Sequence, residues 1–596
     1  MMMHFIPSFA ALKVEILADS NRDGKIDQAD RQDKMEWSDS AGAIFLANIG
    51  DTDRRCSEKA LNEEAPSSEE LAACDDASDD IQRSPQYMAP LRATEIPQVN
   101  LGPKAWGSIV IREGVARDKV RIFRKENTEW VFTPSYHKFK REDLVKGLEL
   151  GIDARDTRRP GCWDGRVQVY FYVYDYDNSG EYAWDAVRLR VAPVLTHHHA
   201  QKLEKLVSVA GNDTDINQKR FIANVTKALI DTETNVPLFL FSHSDDVWAQ
   251  DYLEAGYTNM PGPNGKTVGL RVMIRSPQES RVAGRQVFEY MRDTGVGAVY
   301  HPCGSRDEVD SMGNLETIPP YSYGNKKYSA GRIIEGSHGL RNPHILDYMR
   351  AQEFQDPLVI STDWLVTGHV DEVVQFLPTD TVQSTYGWVL VVSDHELGKK
   401  KLEAIWDKSI KAFSRPYGTP TWTVEELLNQ PDVKNADTIM PLKMKEIIEL
   451  LKKETGIKDS DIYHVPSVFA TGYCSPPDEG LAPEKNCSSD HVSALYPDIV
   501  NGVVLSDHEY LSADPWGPIL GGEDVIKKAA SEVYMRLGYH VTYIDDWDSH
   551  HTAGGEVHCG SNSIREVGDG WWKSTSKQRQ CSQNLLGQYP ICQQSL

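Results

Sequence analysis

The hydrophobic pattern of this chain changes character near residue 196, and that change constrains the fold more than any other feature. Before it, short alternating apolar runs recur: VEIL (14–17), AIFLANI (43–49), SIVIRE (108–113), VRIFR (120–124), QVYFYVYDYD (168–177) and VRLRVAPVL (187–195). They are rich in Val, Ile, Tyr and Phe, and no long helical period separates them. Alternation buries one face of a strand, so several such runs joined by loops predict a β-sandwich. Residues 57–80, rich in acids, Ser and Ala, interrupt the runs and read as a mobile surface loop.

After residue 196, apolar strands alternate with helices. PLFLFS (237–242), PLVIS (357–361), GWVLVVS (387–393), NGVVLS (501–506) and HVTYID (540–545) read as strands, and 522–537 as a helix. A further helix is predicted to start near Pro441, with Met444, Ile447, Ile448 and Leu451 on one face. The expected division is therefore a β domain over 1–195 and an α/β domain over 196–596. The second exceeds the usual domain of about 100–150 residues, which predicts repetition of a smaller unit, although no sequence repeat is visible. The triple His197–His199 at the junction reads as a solvated linker.

No run of 18 apolar residues exists in the 596, so no membrane span is expected. The net charge of −24 argues against a nucleic-acid partner; by itself it reads first as a means of solubility, and it also fits cationic substrates or bound metal ions. Three cysteine pairs lie close in sequence (Cys56 and Cys74, Cys474 and Cys487, Cys581 and Cys592), a spacing that suits disulfides. Sequons at Asn212, Asn224 and Asn486 point the same way, toward secretion. The N-terminus MMMHFIPSFAAL is nonetheless a poor signal peptide, lacking Lys or Arg before Lys13.

Four motifs carry chemistry. DSNRDGKIDQAD places Asp19, Asn21, Asp23, Asp27 and Asp30 at positions 1, 3, 5, 9 and 12 of a calcium-type loop, with Gly24 at the turn position 6. VEIL precedes it, so a calcium loop inside a β domain is expected, not an EF-hand. GGEVHCGSN (554–562) sets Cys559 in a glycine-flanked turn suited to a nucleophile. DWLVTGHVDE (363–372) sets His369 and Asp371 two apart, on one side of a strand if it is a strand. DDVWAQDYLEAGY (245–257) supplies a carboxylate, Asp251, beside an aromatic, Trp248, a pairing suited to a planar guanidinium.

Together these motifs resemble the peptidylarginine deiminases. WxQD, GHVDE and GEVHCG stand in that family's order, and DSMGNLETIPP (310–320) and DPWGPILGG (514–522) also look like family segments. The resemblance runs from about residue 12 to Trp572. It implies an immunoglobulin-like sandwich followed by a pentein α/β-propeller, without the additional N-terminal immunoglobulin-like domain of vertebrate members. It further implies calcium-dependent conversion of peptidyl-arginine to citrulline, with arginine-containing proteins or peptides as substrates. Cys559 would be the nucleophile, His369 the general acid/base, and Asp251 and Asp371 the guanidinium clamp. Trp248 would line the substrate slot and Arg281 would grip the substrate backbone. One family calcium site would use Gln250, Glu254 and Glu316 with main-chain oxygens of Met312 and Leu315. A second is expected to be lost, because Tyr252 and Arg275 stand where acids are needed. A related hydrolase of free arginine or another small guanidine, and a calcium-binding scaffold without activity, are the rival readings.

Overall fold

The computed structural model describes residues 12–38, 40–62, 66–176, 181–232, 234–242, 244, 246–380, 383–472 and 490–574. The residues up to Val191 form two five-stranded sheets. One runs Ile16–Ala18, Ala89–Ala93, Leu148–Ala154, Val120–Glu126, Glu129–Phe132, with every neighbouring pair antiparallel. The other runs Ala43–Phe45, Glu181–Val191, Arg166–Asp175, Trp106–Ile111, Phe139–Lys140, and only Ala43–Phe45 lies parallel to its neighbour. Alternation works as expected along Arg166–Asp175. Val167, Val169, Phe171 and Val173 join the shared core, while Tyr170, Tyr172 and Tyr174 form a row of nearly parallel rings outside it.

Two expectations fail here. Residues 57–80 are not simply a loop. Helices Arg55–Asn62 and Ser68–Ala73 are joined by a Cys56–Cys74 disulfide, and Ala60 and Leu71 pack against Val287, Phe288 and Tyr300. So few apolar residues leave no local pattern; a covalent tie and a distant surface hold the segment. His197 and His198 are buried, not solvated. His197 stacks on Tyr257 and its Nδ1 lies 3.2 Å from Gln201 Oε1, and burial pushes both imidazoles down to about 3. Cys474, Cys487, Cys581, Cys592 and Asn486 lie outside the described residues.

Beyond residue 195 five small sheets share one plan, in which a central strand has one antiparallel and one parallel neighbour. The central strands are Leu203–Val209, Thr267–Arg275, Arg332–Ser337, Trp388–Asp394 and Glu509–Ala513. The repetition suggested by length thus lives in topology, not in residues. Parallel neighbours need a crossover, and Ile216–Asp231, Ile345–Gln352 and Val525–Arg536 are such crossover helices. Pro431–Thr455 belongs to another crossover and starts well before the expected Pro441. Pro431 occupies its first turn, and Val433, Ala436 and Met440 continue the buried face of Met444, Ile447 and Leu451. Ser561–Arg565 pairs with Leu203–Val209, so the chain segment just after Cys559 is fixed against the start of this region. One continuous core joins both N-terminal sheets to Met260, Val272, Met312, Tyr348 and Trp571.

Candidate active site

Cys559 sits at the end of a tight turn leading into Ser561–Arg565, with Gly560 N–H donating to Glu556 O (3.0 Å) and Gln250 N–H donating to Cys559 O (3.2 Å). Its Sγ faces two acceptors, Asn501 Oδ1 at 3.4 Å and Asp371 Oδ2 at 3.7 Å. Burial, then the charges of Asp371 and Asp251, push the thiol well above its ordinary value, so the ligand-free sulfur carries its proton. Gly555 is required nearby. A Cβ there would stand 2.6 Å from the Trp248 ring and 3.0 Å from Cys559 Sγ, so Trp248 and the sulfur flank the same glycine.

GHVDE is not a strand. Val370–Glu372 is a single 3-10 turn before Val374–Pro378, capped by Glu372 Oε1, which accepts from Gly368 N–H (2.9 Å) and His369 N–H (2.7 Å). The turn aims both side chains inward; His369 is 1% and Asp371 3% exposed. His369 Nε2 is held 3.1 Å from Glu308 O, which leaves Nδ1 toward Asp251 Oδ1 at 3.9 Å. Burial alone would lower this imidazole, but the Glu308 contact and the charges of Asp251 and Asp371 outweigh it and raise it to about 9. Asp371 Oδ2 lies 2.7 Å from His558 Nδ1, and Oδ1 has no hydrogen-bond partner among the described residues.

Asp251 repeats this arrangement with a different partner. Its Oδ2 lies 2.9 Å from Arg281 Nη2, and its Oδ1 has no hydrogen-bond partner among the described residues. Arg281, expected to grip a substrate backbone, is engaged with side chains of its own fold. It is 4% exposed and bound to Gln278 Oε1 (2.7 Å), Asp246 Oδ2 (2.8 Å) and Glu308 Oε2 (3.1 Å), and so it buttresses Asp251 from behind. Gly313 closes the other side. A Cβ there would stand 2.7 Å from His369 Nδ1 and 2.8 Å from Asp251 Oδ1.

Beside this group, Gln250 Nε2 donates to Glu254 Oε2 (3.3 Å), and Glu254 and Glu316 repel one another. Burial and like charge raise Glu254 well above the carboxylate range, and Glu316 to about 7. A buried acid and a half-buried one that repel each other suit a hard cation better than they suit each other. Met312 and Leu315 flank Gly313 and lead into the strand carrying Glu316. At the positions of the second expected site, Tyr252 is a core residue and Arg275 packs on Tyr300 at 4.6 Å. Near the N-terminus, Asp19, Asn21, Asp23 and Asp27 lie between Ile16–Ala18 and the 3-10 turn Gln28–Arg31, which carries Asp30. There their side-chain oxygens accept from the loop's own N–H groups, including those of Gly24, Asp23, Lys25, Ala29 and Ser20. A third acidic group, Asp51, Asp53 and Asp76, was not anticipated; one ligand atom of each lies within 4.8 Å of the others.

Residues 181–573 match the family model described as protein-arginine deiminase. This chain belongs to the protein-arginine deiminase family. It is 31% identical to the rat protein-arginine deiminase type-3 over 448 residues, 71% of this chain and 61% of that protein. It is 27% identical to the rat type-4 enzyme over 594 residues, 94% of this chain and 83% of that protein. The match to the rat and human type-3 proteins therefore spans under two thirds of their length. Among solved structures, the agmatine deiminase of C. jejuni superposes with a TM-score of 0.33 at 10% identity, covering 63% of this chain and 96% of that one.

Several residues of this deiminase site escaped sequence reasoning. His558, beside the nucleophile, bridges Asp371 and Glu316, its Nε2 lying 3.6 Å from Glu316 Oε1. Glu308 orients His369, Gly313 gives room to Asp251, and Asn501 touches the sulfur. Only His558 and Gly313 lay inside a motif already singled out.

Proposed function

We propose that this chain is a calcium-activated hydrolase that converts peptidyl-arginine to peptidyl-citrulline and ammonia. One observation carries the reading: Asp251 and Asp371 each hold one oxygen on an internal partner and keep the other buried with no hydrogen-bond partner among the described residues, beside a thiol and an imidazole. Two such carboxylates suit a guanidinium, whose planar N–H groups form paired, charge-assisted bonds of about 1.5–3 kcal/mol each.

In this reading the bound guanidinium offsets the two negative charges that hold the Cys559 proton, that proton passes to solvent, and the thiolate adds to the guanidinium carbon; the proton released when citrulline forms returns to the departing sulfur. His369, protonated at neutral pH, delivers a proton from Nδ1 to the departing nitrogen, which leaves as ammonia. The neutral imidazole then takes a proton from water, the hydroxide displaces sulfur from the thiouronium carbon, and citrulline is released. Gln250, Glu254 and Glu316 are the side chains that would hold calcium. A bound ion would supply the positive charge that Glu254 and Glu316 lack, steadying the turn Ala249–Tyr252 that carries Asp251. The loop Asp19–Asp30 and the group Asp51, Asp53 and Asp76 are further candidates. We read the two N-terminal sheets as immunoglobulin-like and the five later ones as a propeller around the site. The Cys56–Cys74 disulfide favours an extracellular destination.

The test is ammonia release from an N-blocked arginine peptide and from free arginine, with and without millimolar calcium. Calcium-dependent release from the peptide is expected. Preference for free arginine, or equal rates with a chelator, would overturn the substrate or the calcium assignment respectively.

A further inference from the structure

Asn501 lies in the turn between Val492–Ala494 and Val503–Val504, outside the four motifs that carry chemistry. It is 2% exposed. One face of its amide meets the nucleophile: Oδ1 accepts from Cys559 N–H at 3.3 Å and lies 3.4 Å from Sγ. The other end meets the clamp: Nδ2 donates to the main-chain oxygen of Asp371 at 3.1 Å. Its own main-chain oxygen accepts from His558 N–H at 3.2 Å. These partners are separated from it by 58 and 130 residues.

A primary amide presents an acceptor and a donor in one plane. Reversing it would set NH2 against the Cys559 N–H and oxygen against the Asp371 oxygen, so its orientation is fixed by its neighbours. An aspartate there could not donate, and an aliphatic residue could do neither. The turn itself is well held. Tyr510 donates to Ile499 O and Val500 O (both 2.9 Å), Ser512 donates to Ile499 O (3.0 Å), and Gln375 donates to Gly502 O (2.9 Å). The amide therefore projects from a firm base.

We propose that Asn501 is the positioning residue that splints Cys559 to Asp371, fixing the sulfur relative to the carboxylate that orients the substrate. This rests on the deiminase reading for what the sulfur attacks. A misplacement of about 1 Å is enough to cost on the order of 10²-fold in rate.

The experiment compares Asn501→Ala with Ser512→Ala in the full chain with calcium. Ser512→Ala loosens the same turn without touching Cys559 or Asp371. The readouts are kcat and KM on an N-blocked arginine peptide, and the rate of Cys559 alkylation by iodoacetamide without substrate. For Asn501→Ala we expect kcat to fall about 10²-fold, KM to stay within about threefold, and alkylation of the released thiol to rise about tenfold. Ser512→Ala should stay near the parent on all three. Asn501→Ala with a near-parental kcat, or a raised KM at unchanged kcat, overturns the splint. So does an equal kcat loss in Ser512→Ala. If the parent turns over no arginine substrate, the functional reading fails instead, and equal alkylation rates in parent and Asn501→Ala would then overturn the splint.

Discussion

The two aspartates of the site are alike in pose and unlike in support. Asp251 gives one oxygen to Arg281, a permanent cation caged by Asp246 and Glu308; Asp371 gives one to His558, which also faces Glu316. Each keeps its second oxygen without a hydrogen-bond partner among the described residues. The lesson is that the proposed guanidinium clamp fixes one oxygen on each side, and that either a fixed or a titratable partner can fix it. The second choice has a consequence: through His558, the Asp371 side is wired to the acids proposed to hold calcium, whereas Asp251 is wired to them through the backbone of Gln250.

Neutralising each acid breaks the comparison most sharply. Asp251→Asn and Asp371→Asn should each lower kcat/KM by about 10²-fold or more, since each removes charge-assisted bonds to the substrate. Their stabilities should differ. Asp251→Asn leaves Arg281 short of one buried counter-charge and should lower unfolding stability by about 3 kcal/mol, whereas His558 can shed its proton and limit the loss in Asp371→Asn to about 1 kcal/mol. Equal losses in a urea titration would contradict the assigned partners.

Gly313→Ala puts a methyl between His369 and Asp251 and should lower kcat about 10-fold or more, while the fold, buried elsewhere, keeps its melting temperature within a few degrees. A parental kcat would mean that the gap is not used. Glu316→Gln should raise the calcium needed for half-maximal activity, by about tenfold, and change kcat at saturating calcium less. An unchanged calcium midpoint would remove Glu316 from the ion site.

The smallest expected effect is on pH. His369 is raised to about 9, so the imidazolium needed to protonate the leaving nitrogen persists to that pH, and kcat should fall as pH rises through it. Its contribution to stability has the same sign, full below its ordinary range near pH 6.5 and lost on rising through about 9. Glu308→Gln removes a charge that raises this imidazole, so the alkaline limb should move to lower pH. A limb that stays in place would exclude His369 as its source.

What could be read from the sequence was local. Alternation in QVYFYVYDYD and VRLRVAPVL marked strands, because a strand with one buried face repeats every two residues. The strands Ala89–Ala93 and Leu148–Ala154 were missed, since short or Gly- and Pro-containing runs carry little period. The five-sheet plan was invisible because strands as short as Val503–Val504 hold no repeat of their own. In the site, Cys559, His369, Asp371 and Asp251 stood out as chemistry-bearing residues in compact motifs. Asn501 and Glu308 did not, because their roles come from contacts across 58 and 61 residues, and nothing in their own neighbourhoods records those contacts.

The most direct test of the central claim is the mass of an N-blocked arginine peptide after incubation with the parent protein and with Cys559→Ser, both in calcium. The account predicts a gain of about 1 Da on arginine, the exchange of NH for O, in the parent only. An unchanged peptide mass with folded, alkylatable parent protein, or the same gain with Cys559→Ser, would contradict it.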